Sequence, residues 1–112
     1  MECEGTVADI AKGRIPYTNI LVVECGDKKV EMLLHEDLIT FSKGERAKFV
    51  VSEEAPEFKQ GVDFCGRGVL VRDDGDKKLL SIGGFVVVLH NFQGSLDENK
   101  RYYVCLIKEE GA

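Results

Sequence analysis

The 112-residue chain has no tryptophan, two prolines, two histidines and no long uncharged apolar run. Its longest such run, IGGFVVVL, falls well short of the ~20 residues that a membrane-spanning helix needs. The start, MECEGTV, has neither the basic flank nor the apolar core of a signal peptide. A cytoplasmic location without membrane contact is therefore expected. The two histidines, His35 and His90, stand in no nucleophile or metal motif. Cys3, Cys25, Cys65 and Cys105 match no zinc knuckle and no CxxC redox pair. Carboxylates gather in pairs such as Glu53-Glu54, Asp73-Asp74 and Asp97-Glu98, where solvation explains them better than acid-base work. The glycine stretches GRG (Gly66 to Gly68) and SIGG (Ser81 to Gly84) precede no helix whose N-terminus would bind phosphate. No catalytic residue, cofactor site or metal site is expected.

The chain also lacks a basic excess. Twenty acidic and 15 basic side chains give a formal net charge of −5. The basic ones fall singly or in pairs, Lys28-Lys29, Lys77-Lys78 and Lys100-Arg101, which read as solvated turns and edges. Affinity for a nucleic-acid backbone comes from neutralising phosphates, so direct binding should be weak or absent. Antiparallel pairing about the segment KGRIP (Lys12 to Pro16) places Cys3 opposite Cys25, close enough for a disulfide. A reducing cytoplasm favours four small buried thiols instead, with hyperthermophiles as the exception.

What the chain has is strands. Glu2 to Ala11, Tyr17 to Cys25, Val30 to Leu34, Arg46 to Ser52, Val62 to Arg72, Leu79 to His90 and Arg101 to Lys108 are rich in β-branched and aromatic residues and are bounded by turn residues. His35 to Ser42 breaks the alternation with a possible helical turn. Glu53 to Gly61 and Asn91 to Lys100 read as polar loops. Gly66, Gly68 and Gly84 fall where a curling sheet needs bends or close approach. Seven or eight short strands without a convincing helix predict an all-β fold, a closed or nearly closed antiparallel barrel forming one domain over residues 1–112. No internal repeat, low-complexity segment or linker is evident.

One strand stands out. LLSIGGFVVVLH (Leu79 to His90) carries no charge, although an antiparallel strand in a small protein normally alternates apolar with polar. Read as one strand, it presents Ile82, Gly84, Val86 and Val88 on one face and Phe85, Val87 and Leu89 on the other. Its neighbour repeats the pattern, with Phe64 and Leu70 on one side and Cys65, Val69 and Val71 on the other. No helix or second sheet is available as cover, so the outward set is expected to meet a protein partner.

At these residues the sequence resembles the eighth-subunit family of eukaryotic and archaeal DNA-directed RNA polymerases, whose archaeal member is the G subunit. The resemblance lies in DFCGRGVLV (Asp63 to Val71), LSIGGFVVVLHNFQG (Leu80 to Gly94) and RYYVCLIKEE (Arg101 to Glu110). Upstream, GTVADIAKGRIPYTNILVVEC, VEMLLHEDL and GERAKFVVS follow in the family's order. The resemblance implies an eight-stranded barrel of the oligonucleotide/oligosaccharide-binding type without catalytic residue, metal or cofactor. It also implies docking on the largest RNA polymerase subunit, and support for assembly of the polymerase. Eukaryotic members have a long central loop where Glu53 to Gly61 is short, so that loop's role does not carry over. The resemblance implies a docking surface close to the glycine-glycine strand, at Gly83, Gly84 and Phe85; together with the two-faced apolar strand this makes Ser81, Ile82, Gly83, Gly84, Phe85, Val87 and Leu89 the candidate interface. Two other readings remain open. A free single-strand-binding barrel would stack bases on Tyr17, Phe41, Tyr102 or Tyr103. A small-ligand barrel would need a cavity that eight strands barely provide.

Overall fold

Runs of β-branched residues separated by glycine- and aspartate-bearing turns fold into eight strands. A computed structural model describes residues 1–109, so the end of the expected 1–112 domain lies outside the described residues. The strands are β1 (Glu2–Lys12), β2 (Thr18–Cys25), β3 (Lys28–His35), β4 (Arg46–Ser52), β5 (Phe64–Asp73), β6 (Lys77–Ile82), β7 (Phe85–His90) and β8 (Arg101–Lys108). They close into an antiparallel barrel in the order β1-β2-β3-β7-β6-β5-β8-β4. The expected helical turn is a single 3-10 turn, Glu36–Leu38, whose first backbone N–H groups include one bonded to His35 Nδ1.

The strand order contains one arrangement twice. β1, β2 and β3 form a meander and β4 returns beside β1, while β5, β6 and β7 form a second meander with β8 beside β5. Each half is a Greek key, and the halves join through β3–β7 and β4–β8. Both first strands carry a bulge, at Ala8 and at Val71. Each bulge follows an inward glycine by three residues. A Cβ on Gly5 would run into the Glu24 carbonyl, and one on Gly68 would stand 2.6 Å from the Ser81 carbonyl oxygen. The duplication exists in topology and in these few positions, which is why no repeat is visible in the sequence.

The segment Leu79 to His90, read as one strand, is a hairpin. Gly83 and Gly84 have φ of 55° and 94° and reverse the chain between β6 and β7. Two consecutive positive φ values are what a two-residue hairpin loop requires, and glycine adopts them without a Cβ penalty. Gly84 is thus a turn residue and not a strand glycine, whereas Gly66 and Gly68 lie on β5 as expected. The reversal resets the alternation: Ile82 pairs with Phe85, Ser81 with Val86, Leu80 with Val87 and Leu79 with Val88. Leu80, Val87 and Leu89 consequently point inward beside Met32, Val30 and Leu34, all at most 1% exposed.

Lys78, expected in a solvated turn, occupies an inward position on β6 and is only 2% exposed. Its ammonium donates to the carbonyls of Gly75 (2.8 Å) and Phe92 (3.1 Å) and lies 3.6 Å from Asp73 Oδ1. A buried cation must have such partners to offset lost hydration. Here they tie the β5–β6 turn to the loop after β7 and close that mouth of the barrel, where Phe92 packs edge-on against Phe49.

The expectation of four free thiols is not met. Cys3 is bonded to Cys25 and Cys65 to Cys105. Cys3 reaches its partner diagonally: Thr6 pairs with Glu24, so the next step sets Gly5 against Cys25. The missing side chain of Gly5 leaves room for the bridge. Cys65 and Cys105 are direct cross-strand partners on β5 and β8.

Candidate partner interface

With the hairpin in place, the outer surface of β5, β6 and β7 follows from pairing alone. Val69 lies opposite Ser81, which lies opposite Val86, and Leu79 lies opposite Val88. Val71 stands out at the β5 bulge. Val69 and Val71 are 38% and 56% exposed, and Leu79, Val86 and Val88 are half-buried. This forms a largely apolar face on three adjacent strands, with Ser81 set between Val69 and Val86. A polar rim surrounds it: Arg72 pairs with Asp74 (2.9 Å) at one end, and His90 Nε2 lies 2.7 Å from Glu31 Oε1 along the β3 side. At the other end Arg67 lies over the Tyr103 ring, 4.7 Å from its centroid. An apolar centre with a polar rim is the anatomy of a protein interface.

The other Greek key supplies an internal comparison. Its positions equivalent to Val69, Val71, Leu79, Ser81, Val86 and Val88 are Thr6, Ala8, Val22, Glu24, Lys29 and Glu31, as the bulges and pairings align them. The same scaffold therefore carries polar, charged or small residues at five of these six positions on one half, Val22 being the exception, and apolar ones at five of six on the other, where Ser81 is the exception. Barrel geometry does not demand the apolar face.

The residues singled out from the sequence separate. Ser81 is on the outer face, and Gly83 and Gly84 are exposed at the turn. Ile82, 8% exposed, and Phe85, half-buried, pack onto the core at the barrel's mouth. Val87 and Leu89 are 0% exposed and fill the core, which corrects their expected place beside a partner. The structure brings in Val69, Val71, Leu79, Val86 and Val88 instead. The signal that would have found them is the Gly-Gly pair between two apolar runs, a hairpin signature that inverts the face assignment beyond it. Among the proposed stacking platforms, Phe41 and Tyr102 are 5% and 6% exposed, too buried to stack a base. Tyr103 is occupied by Arg67, and Tyr17 is open and stacked on His35.

Among the described residues, no group of three or more His, Cys, Asp or Glu is placed to hold a metal ion. No helix of the described residues is long and apolar enough to cross a membrane.

Comparison with known proteins gives a family match over residues 1–109, to the family of the G subunit of DNA-directed RNA polymerase. DNA-directed RNA polymerase subunit Rpo8 of Sulfolobus acidocaldarius is 34% identical over 65 residues, which cover 57% of this chain and 53% of that protein. The match thus spans about half the length of this curated relative.

Proposed function

Because the chain belongs to the G-subunit family of DNA-directed RNA polymerase, we propose that it is a non-catalytic assembly subunit of that enzyme, working in the cytoplasm and docking on the largest subunit. The docking surface in this reading is the outer face of β5, β6 and β7 beside the Gly83–Gly84 turn. One observation carries it. Two halves of one architecture differ in outer surface, and the half with Val69, Val71, Leu79, Val86 and Val88 is the one that water covers poorly. Contiguous apolar surface of this kind marks a partner site. In this reading the chain contributes no catalytic group, cofactor or tight nucleic-acid contact of its own.

The matched bulges provide the test. Val71→Asp and Ala8→Asp place the same charge at equivalent positions of the two halves. In a polymerase reconstitution in which tagged variant competes with wild type, Val71→Asp should incorporate more than about tenfold less well, as expected for a side chain near the centre of an interface. Ala8→Asp should compete nearly as well as wild type. Equal incorporation of the two variants would place the docking surface elsewhere.

A further inference from the structure

At the Gly83–Gly84 end of the apolar face, two arginines stand together in a chain of net charge −5. Arg101 on β8 pairs with Val69 on β5, and Arg67 lies two residues back along β5, opposite Tyr103. These side chains share the outer face, so the arginines are diagonal neighbours, with backbones roughly 7–8 Å apart. Beside them is an open recess of about 330 Å3, lined by Arg67, Gly68, Val69, Ser81, Gly83, Gly84 and Arg101. Among the described residues, no carboxylate lines it. Both arginines are exposed, and neither has an ion-pair partner among the described residues, whereas Arg46 and Arg72 each hold a carboxylate. The Tyr103 ring beneath Arg67 restrains its guanidinium over the outer face.

Resting on the docking surface proposed above, we infer that this recess receives an acidic side chain of the polymerase partner, on a segment whose neighbouring apolar side chains cover Val69 and Val71. Two neighbouring guanidinium groups repel each other, and a carboxylate between them removes that repulsion while matching their planar donor forks. The bare turn at Gly83–Gly84 leaves the approach open, since an added Cβ at either position would meet nothing within 4 Å. A protein carboxylate fits better than a phosphodiester chain. Tracking nucleic acid needs a run of cations, and here two end an apolar row. The Tyr103 ring on this outer face is already taken by Arg67.

The test is the same competitive reconstitution, using a variant with both Arg67→Gln and Arg101→Gln. Both residues are exposed, so its thermal unfolding should match wild type. At about 0.1 M salt its incorporation should fall at least about tenfold, the loss expected for a charge-assisted pair. The gap to wild type should narrow as added salt screens the pair. Lysine at both positions should restore part of the loss. If Val71→Asp blocks incorporation while the double glutamine variant competes normally, the docking surface stands and the acidic-partner inference fails. If neither variant changes incorporation, the docking surface itself is wrong. Normal assembly of the glutamine variant into a polymerase with weakened single-strand binding would assign the recess to phosphate and overturn the inference.

Discussion

The inside and outside of the β6–β7 hairpin rest on a turn of two glycines, and paired substitutions one residue apart test that assignment. Val87 is fully buried and pairs with Leu80 on β6 and Met32 on β3, both also 0% exposed. Val86 points outward opposite Ser81. Threonine copies the shape and branching of valine, so Val87→Thr adds little beyond a hydroxyl in an apolar site. A buried hydroxyl without a partner costs about 1–3 kcal/mol. For a barrel of this size 1 kcal/mol moves the melting temperature by roughly 4 °C, so the expected drop is roughly 4–12 °C. Val86→Thr places its hydroxyl at the half-exposed surface and should change stability by less than about 0.5 kcal/mol, or roughly 2 °C. Thermal unfolding followed by circular dichroism under non-reducing conditions measures both. Equal drops, or a larger one for Val86→Thr, would mean that β7 is slipped by one residue, exchanging its faces.

Three further outcomes follow from local geometry. Gly68→Ala would bring a Cβ to 2.6 Å from the Ser81 carbonyl oxygen and 3.0 Å from Ile82 Cγ1. It should destabilise by about 1–3 kcal/mol, the range for overpacking, and an unchanged denaturant midpoint would contradict the close approach. Thiol titration in denaturant without reductant should find none of the four cysteines reactive, because all are bridged in pairs separated by 22 and 40 residues. Reduction should cost about 3–4 kcal/mol per bridge on the chain-entropy account, and four reactive thiols in the oxidised protein would refute the pairing. The Glu45 carboxyl titrates below its ordinary value of 4.5, chiefly because it accepts the Ser42 backbone N–H, with Lys108 adding a smaller effect against the opposing cost of burial. A depressed carboxyl pKa stabilises the fold above the unfolded value and loses that contribution as pH falls through the folded value. The stability gap between wild type and Glu45→Gln should therefore shrink as pH drops below 4.5, and a gap independent of pH would refute the assignment.

The barrel was legible because its information is local: β-branched runs, turn residues and the lack of a helical period. The hairpin within Leu79 to His90 was hidden because a Gly-Gly turn needs no polar residue, so two strands ran together as one apolar stretch. That omission moved Val87 and Leu89 to the outside and kept Leu79, Val86 and Val88 from being grouped with Val69 and Val71. Cys3 and Cys25 were legible as neighbours, although the turn closes at Lys12 and Asn19 and, after the bulge at Ala8, sets Gly5 and not Cys3 opposite Cys25, which makes the contact diagonal. Cys65 and Cys105 were not, because they meet through β5–β8, a pairing of strands that are not consecutive. Lys78 beside Lys77 looks like half of a solvated pair, and its inward position is made tolerable by the carbonyls of Gly75 and Phe92, brought in by two separate loops, and by the Asp73 carboxylate. The arginine recess likewise needs β5, β8 and the β6–β7 turn in one place.

Burial of Lys78 gives the molecule a built-in clock. An amine-acylating reagent reaches exposed lysines at once, but reaches the Lys78 ammonium only when the Gly75 and Phe92 carbonyls let go and that mouth of the barrel opens. Its labelling rate, read by peptide mass spectrometry, thus counts openings of one end of the barrel without any introduced probe. Comparing that rate in the free chain and in the assembled enzyme would report how far incorporation stills the end opposite the Gly83–Gly84 turn.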